Sequence, residues 1–252
     1  MKIVIIGGSG LIGRKLTALL RASGHEVIPA SPSSGVDTLT GAGLAEAFNG
    51  THTVVDVSNS PSFEADAVLK FFQTSASNIA ATEKAAGVQH HVALSVVGAH
   101  LLADEGYMRA KVAQENIIKA SGIPYTILRA TQFFEFMGGI ADASTQGDTV
   151  LLPPASMQPI ASADVAAELA KVVAAKPVNG FVEIAGPEKL TIADFVERAL
   201  AAKQDKRKVI ADPKGLYFGY PLKDNANALT PSSPNPHIAP TRFADWLTAQ
   251  TQ

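Results

Sequence analysis

MKIVIIGGSGLIGRKLTALLRAS, residues 1–23, reads as a strand, a glycine turn and a helix in immediate succession. Ile3, Val4, Ile5 and Ile6 form an unbroken branched apolar run, the pattern of a strand buried on both faces of a parallel sheet. Leu11, Ile12, Leu16, Leu19 and Leu20 then recur at helical spacing. Between the two stand Gly7, Gly8, Gly10 and Gly13. Glycines in that place permit a tight turn, close approach of backbone to a pyrophosphate, and close packing of helix on strand. The helix start adds unpaired N–H groups and about half a positive charge, which together favour a phosphate. A lone G-x-G-x-x-G means little, but one set between an apolar strand and an amphipathic helix has the context it needs. Gly7, Ser9, Gly10, Leu11, Ile12, Gly13 and Arg14 are therefore the expected pyrophosphate cradle of a dinucleotide.

The next segment bears on which dinucleotide. His25 to Ala30 reads as a second short strand, and an acid after it would bond the ribose 2′-hydroxyl of NAD, about twenty residues past the glycines. Ser31-Pro32-Ser33-Ser34-Gly35 holds no acid. Ser31 and Ser33 can donate to a 2′-phosphate and Arg14 can supply charge, so NADP is favoured, with NAD possible. A plain turn explains the same residues equally simply.

The rest of the chain continues in strand–helix alternation, the pattern of a doubly wound parallel sheet. Thr53 to Val57 is a strand, and Ser58 and Asn59 in the loop after it suit a ribose and nicotinamide. Phe63 to Ala86 is a long helix, Val92 to Leu94 a strand ending at Ser95, Tyr107 to Ser121 a helix, and Tyr125 to Leu128 a strand. Phe133, Phe134, Phe136 and Met137 follow, beyond a strand's carboxyl end, where doubly wound sheets bind ligands. They are candidates for an apolar substrate pocket, although a hydrophobic helix packed on the sheet would use about half of them. Phe181 to Ile184 is a further strand, and Thr191 caps a helix over Ile192 to Ala202. Prolines recur from Asp212 to Pro240, predicting extended loop, and Arg242 to Ala249 is a last short helix.

With 252 residues, 46% apolar and 17% charged, the chain is long enough for one large core and too apolar for disorder. Its net charge of −2 argues against a nucleic-acid surface. It has no cysteine, which excludes thiol catalysis and thiolate metal sites. His90 and His91 point to opposite faces of a strand and cannot chelate together; a surface pair is expected, and no metal. The N-terminal apolar run is too short for a signal peptide and no stretch matches a membrane span. A cytoplasmic protein with a small-molecule substrate, monomeric or homodimeric, is the expectation.

Tyr107 and Lys111 stand at i and i+4 of one helix, so their side chains are neighbours. A phenol near pH 7 is a weak acid, and a neighbouring ammonium favours its ionised form. Ser95, at the end of the preceding strand, can polarise a carbonyl. The glycine turn GGSGLIGRKL resembles that of atypical and extended short-chain dehydrogenase/reductases. Ser95, Tyr107 and Lys111 match that family's Ser–Tyr–Lys arrangement residue by residue. Lys111-x-x-x-Glu115, Ser121-Gly122-Ile123-Pro124-Tyr125-Thr126-Ile127-Leu128-Arg129, Gln158-Pro159-Ile160 and Gly186-Pro187-Glu188 are similar to the NmrA-like branch. There are two departures from the related sequences: Ala130 replaces a proline, and Ser58-Asn59-Ser60 replaces the usual Asn-Asn-Ala-Gly turn.

The resemblance covers most of residues 1–200. It implies a Rossmann-type doubly wound sheet with a small C-terminal substrate lobe, built from 131–162 and 187–252 within a single 1–252 domain. Val36-Asp37-Thr38-Leu39 resembles the family's short third strand, with Asp37 near the adenine; Asp37 can equally cap a turn. Lys111 would also hold the nicotinamide ribose. The implied activity is NAD(P)H-dependent reduction of a small apolar or aromatic carbonyl or quinone. The branch also contains non-catalytic cofactor sensors, and the wider family contains sugar-nucleotide epimerases.

Overall fold

The computed structural model describes residues 1–104, 106–222 and 227–250. In chain order it runs β1 (Lys2–Ile6), α1 (Leu11–Ala22), β2 (Glu26–Ala30), α2 (Leu44–Phe48), β3 (Thr53–Asp56), α3 (Ala65–Ala86), β4 (His90–Val96), α4 (Gly106–Ala120) and β5 (Tyr125–Ala130). There follow α5 (Met137–Ala143), β6 (Thr145–Gln146), β7 (Thr149–Leu152), β8 (Ser156–Met157), α6 (Ser162–Ala174) and β9 (Gly180–Ala185). The chain then forms β10 (Leu190–Thr191), α7 (Ile192–Ala202), β11 (Lys208–Ala211), β12 (His237–Ile238) and α8 (Phe243–Gln250).

Seven strands form the main sheet in the order β12-β9-β5-β4-β3-β1-β2. β1 pairs in parallel with β2 on one side and with β3 on the other. The strand order therefore reverses at β1, and its carboxyl end is the topological switch point where such sheets bind ligands. Ile3, Val4 and Ile5 are wholly buried, as a central strand covered on both faces requires.

The third strand expected at Val36–Leu39 does not form. Asp37 accepts the backbone N–H groups of Leu39 and Thr40 at 2.8 and 3.4 Å, which closes a turn there. Gly41 and Gly43 continue it with positive φ. β2 is thus an edge strand, and its Pro29 suits an edge because proline has no N–H to give a further neighbour.

The chain forms two compact units, Met1–Arg129 with Val165–Val182, and Ala130–Asp164 with Glu183–Gln252. In the first, α3 and α4 pack against each other, and Val68, Phe72 and Ala110 form a buried cluster between them. The expected surface pair His90 and His91 is buried in this unit, because β4 is an interior strand. They do face opposite ways: His91 meets Glu83 on α3 at 2.6 Å and His90 meets Thr126 on β5 at 3.0 Å. Burial lowers the His90 pKa to about 4, so that ring is neutral.

The second unit has an aromatic core. Phe243 lies 4.9 Å from Phe134, 5.3 Å from Phe195 and 5.9 Å from Trp246. Small sheets β11-β7-β6 and β10-β8 belong to it. Thr191 caps α7 as expected, accepting the N–H of Asp194 at 3.1 Å while Asp194 accepts the Thr191 N–H in return. The segment expected to be loop from Asp212 to Pro240 contributes β12, and residues 223–226 of it lie outside the described residues.

Candidate functional site

The glycine turn sits at the carboxyl end of β1, and each glycine meets a different constraint. Gly7 has φ of +80°, and a Cβ there would lie 2.8 Å from the backbone of Ser58. A Cβ on Gly13 would come within 2.2 Å of the Gly7 carbonyl oxygen, so its absence lets α1 close onto the turn. Gly10 differs. Its missing Cβ would meet only the Gly7 oxygen, at 3.2 Å, so the space over Gly10 is clear of the fold itself. No side chain caps α1 and its first turn holds no acid. A clear approach over uncapped helix N–H groups is what a pyrophosphate needs.

Beside the turn lies a cavity of about 360 Å³ lined by Gly8, Ser9, Arg14, Thr17, Pro29, Ser31, Ser33 and Ser34. No acid lines it. The Ser31 and Ser33 hydroxyls are 2.9 Å apart, and Ser34 Oγ accepts the Ser31 N–H at 2.9 Å. The structure thus brings four of the expected residues, Ser9, Arg14, Ser31 and Ser33, to one cavity, together with Gly8, Thr17, Pro29 and Ser34. Thr17 stands one helical turn from Arg14, so helical spacing alone could have found it. Asp37 does not line this cavity; its carboxylate is held in the 37–40 turn.

A second group of side chains forms on α4 and the strand ends facing it. Lys111 is buried, its ammonium donating to the Leu94 carbonyl at 2.9 Å and to Gln114 Oε1, and lying 4.4 Å above the Phe72 ring. Gln114 Nε2 donates to Asp56 Oδ2 at 2.8 Å, and Asp56 Oδ1 accepts the Ser58 hydroxyl at 2.6 Å and its N–H at 3.0 Å. A continuous chain of hydrogen bonds therefore ties Ser58 to Lys111. Asn59 folds on itself locally, with Oδ1 accepting the Ser60 N–H at 3.0 Å. Burial lowers the Lys111 pKa to about 8, against the upward pull of Asp56 and Glu115.

Tyr107 is half-buried and packs edge-on against Phe72, centroids 5.8 Å apart. Burial and then the Asp56 charge push its phenol above the usual range. The sequence had suggested the opposite, a phenol pulled down by Lys111. The lysine is instead engaged by Leu94 and Gln114, and desolvation governs.

Ser95 is also placed differently from the expectation. Its hydroxyl donates to Glu115 Oε1 at 2.7 Å, inside a buried cluster in which Arg129 grips the same carboxylate at 2.9 and 2.6 Å. Burial would raise the Glu115 pKa, but the bonds from Arg129 and Ser95 outweigh it and hold the carboxyl below the usual range. Its stabilising contribution is complete above the ordinary carboxylate pKa and fades as the pH falls through the lowered one. Glu115→Ala leaves Arg129 buried and unpaired, and we expect about 3–5 kcal/mol lost in a denaturant titration. A loss below about 1 kcal/mol, the worth of an exposed pair, would show that Arg129 finds another partner.

Of the apolar candidates, all in the second unit, Phe134 and Met137 are core residues, 2% and 1% exposed. Phe136 is exposed and stacks on Phe133 at 5.3 Å with 19° between the rings.

A family model described as NAD(P)H-binding matches residues 7–176, from the glycine turn through α6. The chain belongs to the NAD(P)H-binding family. The glycine cradle, the uncapped α1 and the acid-free cavity all fit the cofactor for which the family is named. Among curated proteins, none is detectably similar in sequence. Solved structures share the fold. The dTDP-4-dehydrorhamnose reductase of Clostridium acetobutylicum is 18% identical over the whole of both chains, with a TM-score of 0.69. A nucleoside-diphosphate-sugar epimerase of Staphylococcus aureus is 16% identical over 98% of this chain and 99% of its own, with a TM-score of 0.70. An NADPH-dependent quinone oxidoreductase of Escherichia coli is 18% identical over 99% of this chain and 100% of its own, with a TM-score of 0.65. The expected NAD(P)H-binding family is thereby borne out, and the solved structures share the expected fold. Among the described residues no helix is long and apolar enough to cross a membrane.

Proposed function

We propose that this protein is an NADPH-dependent reductase of a small apolar or aromatic carbonyl or quinone. The observation that carries the reading is the acid-free cavity beside the glycine turn, where Arg14, Ser31 and Ser33 converge. Gly7 to Gly13 would hold the pyrophosphate, and those three side chains the 2′-phosphate. When bound, the cofactor supplies a hydride. The chain's own part is the proton. Tyr107, kept protonated by burial and Asp56, gives its O–H proton to the substrate oxygen as the carbonyl carbon becomes a carbinol. At neutral pH the phenol therefore carries the proton that a general acid must give. Phe133 and Phe136 would offer the substrate an apolar surface.

Ser31→Asp tests the cofactor assignment. A carboxylate placed in the cavity repels a 2′-phosphate, so the preference for NADPH over NADH should fall by about tenfold or more, 1.4 kcal/mol. Calorimetric titration of both cofactors measures it. Equal affinities of the unaltered protein for the two would refute the assignment.

One observation favours a second reading, a cofactor sensor: Ser95, the third member of the family's catalytic group, is engaged by Glu115. Oxidation of NADPH in the presence of a panel of quinones, aromatic aldehydes and ketones separates the two. Turnover with at least one acceptor supports the reductase. Tight NADPH binding with no turnover across the panel supports the sensor.

A further inference from the structure

Among the described residues, five buried side-chain polar atoms have no hydrogen-bond partner, and three of them lie on two consecutive residues. These are Thr131 Oγ1 and both Oε1 and Nε2 of Gln132, which are 1% and 7% exposed as residues. Buried polar groups in folded proteins are almost always paired, so three orphans side by side ask for a partner. The backbone leaves these side chains little freedom to seek one elsewhere. Thr131 N–H donates to the Ile184 carbonyl at 3.1 Å, and the Gln132 carbonyl accepts the Ile160 N–H at 2.9 Å. The buried Tyr217 phenol interacts with the Gln132 amide, but neither end of the amide makes a hydrogen bond of normal geometry. A single hydroxyl could in any case serve only one end of an amide with two donors and two acceptor sites.

The position is directly after the carboxyl end of β5 and directly before the Phe133–Phe136 stack. Two carboxylates of this unit, Glu135 and Glu183, are engaged by other partners: Glu135 by Ser162, and Glu183 by Ser232 and Ser233. A ligand suited to the place is neutral, flat, and carries an oxygen that can both accept and donate.

We propose that Gln132 and Thr131 form a substrate anchor that binds one ring oxygen of a quinone and of the hydroquinone it becomes. The proposal rests on the reductase reading and narrows it from carbonyl compounds in general to rings with two oxygens. In the oxidised form the ring carbonyl accepts from Gln132 Nε2 and the Thr131 hydroxyl. In the reduced form the new O–H donates to Gln132 Oε1. One amide thus satisfies both redox states, which a lone donor or a lone acceptor could not.

Gln132→Met keeps the length of the side chain and removes both polar ends, and Thr131→Val does the same for the hydroxyl. Replacing an orphaned polar group by an apolar isostere is neutral or stabilising, so neither variant should lower the melting temperature. The probes are 1,4-naphthoquinone and its hydroquinone, bound to the full chain with and without NADP and followed by calorimetry, alongside NADPH affinity. Gln132→Met should weaken both probes by about tenfold or more, the loss of one to two hydrogen bonds, and leave NADPH affinity unchanged. Thr131→Val should weaken the quinone more than the hydroquinone. Unaltered probe affinity in Gln132→Met overturns the anchor, as does no binding of either probe to the unaltered protein. A fall in melting temperature with unaltered probe affinity overturns it too, and assigns the amide to an interior water. If the unaltered protein binds the probes and turns over no acceptor, the reductase reading fails by itself, and the Gln132→Met affinity still decides the anchor.

Discussion

Gly10→Val is expected to abolish dinucleotide binding while leaving the fold in place. The two effects separate because of what surrounds each glycine. At Gly13 an added Cβ would run into the Gly7 carbonyl oxygen at 2.2 Å, and at Gly8 into Pro29 at 2.5 Å, so substitution there breaks the turn itself. At Gly10 the contact is 3.2 Å, which a shift of a few tenths of an ångström relieves. Its φ of −78° is open to any residue. The two methyl groups of valine would then stand in the approach to the α1 N-terminus. A pyrophosphate kept from those N–H groups loses two or three charge-assisted hydrogen bonds, each worth about 1.5–3 kcal/mol. That sum corresponds to at least a hundredfold, and up to about ten-thousandfold or beyond, in affinity. Fluorescence titration with NADPH measures it, with the circular dichroism spectrum and melting temperature as controls for folding. Binding as tight as in the unaltered protein would show that the phosphates are held elsewhere.

Tyr107→Phe is the second large effect. The substitution removes one hydroxyl and keeps the ring that packs edge-on against Phe72. Turnover of an aromatic ketone should fall by about 10²–10⁴, the usual worth of a general acid. NADPH affinity should change by less than tenfold, since one hydrogen bond contributes about 1 kcal/mol net. Quinones divide the possibilities further. An electron-poor ring that takes hydride can collect its proton from water, and a quinone rate that survives Tyr107→Phe would show that this route operates. Ser95→Ala makes the useful contrast. With its hydroxyl on Glu115 and not on the substrate, its removal should cost stability and leave the rate nearly unchanged. An equal collapse of rate in Ser95→Ala and Tyr107→Phe would mean that the serine turns to the substrate during reaction.

The features legible in the sequence are those encoded by near neighbours. The turn at Gly7–Gly13, the Thr191–Asp194 cap and the proximity of Tyr107 and Lys111 each depend on residues within one or two turns of chain, where backbone geometry alone sets the spacing. The absence of an acid after β2 was equally visible, because the edge strand delivers Ser31 and Ser33 straight to the glycine turn. Tertiary structure decided what those groups do. Glu115, twenty residues after Ser95, takes its hydroxyl; Asp56, fifty-eight residues before Gln114, extends a chain of bonds to Lys111. Phe134 and Phe136 are two residues apart in one apolar run, yet one is core and the other exposed, because only packing against Phe243 and Trp246 distinguishes them. The Tyr107 phenol moved opposite to its expected direction for the same reason. Desolvation and the field of a distant carboxylate belong to the folded interior, and no pattern of spacing along the chain contains them.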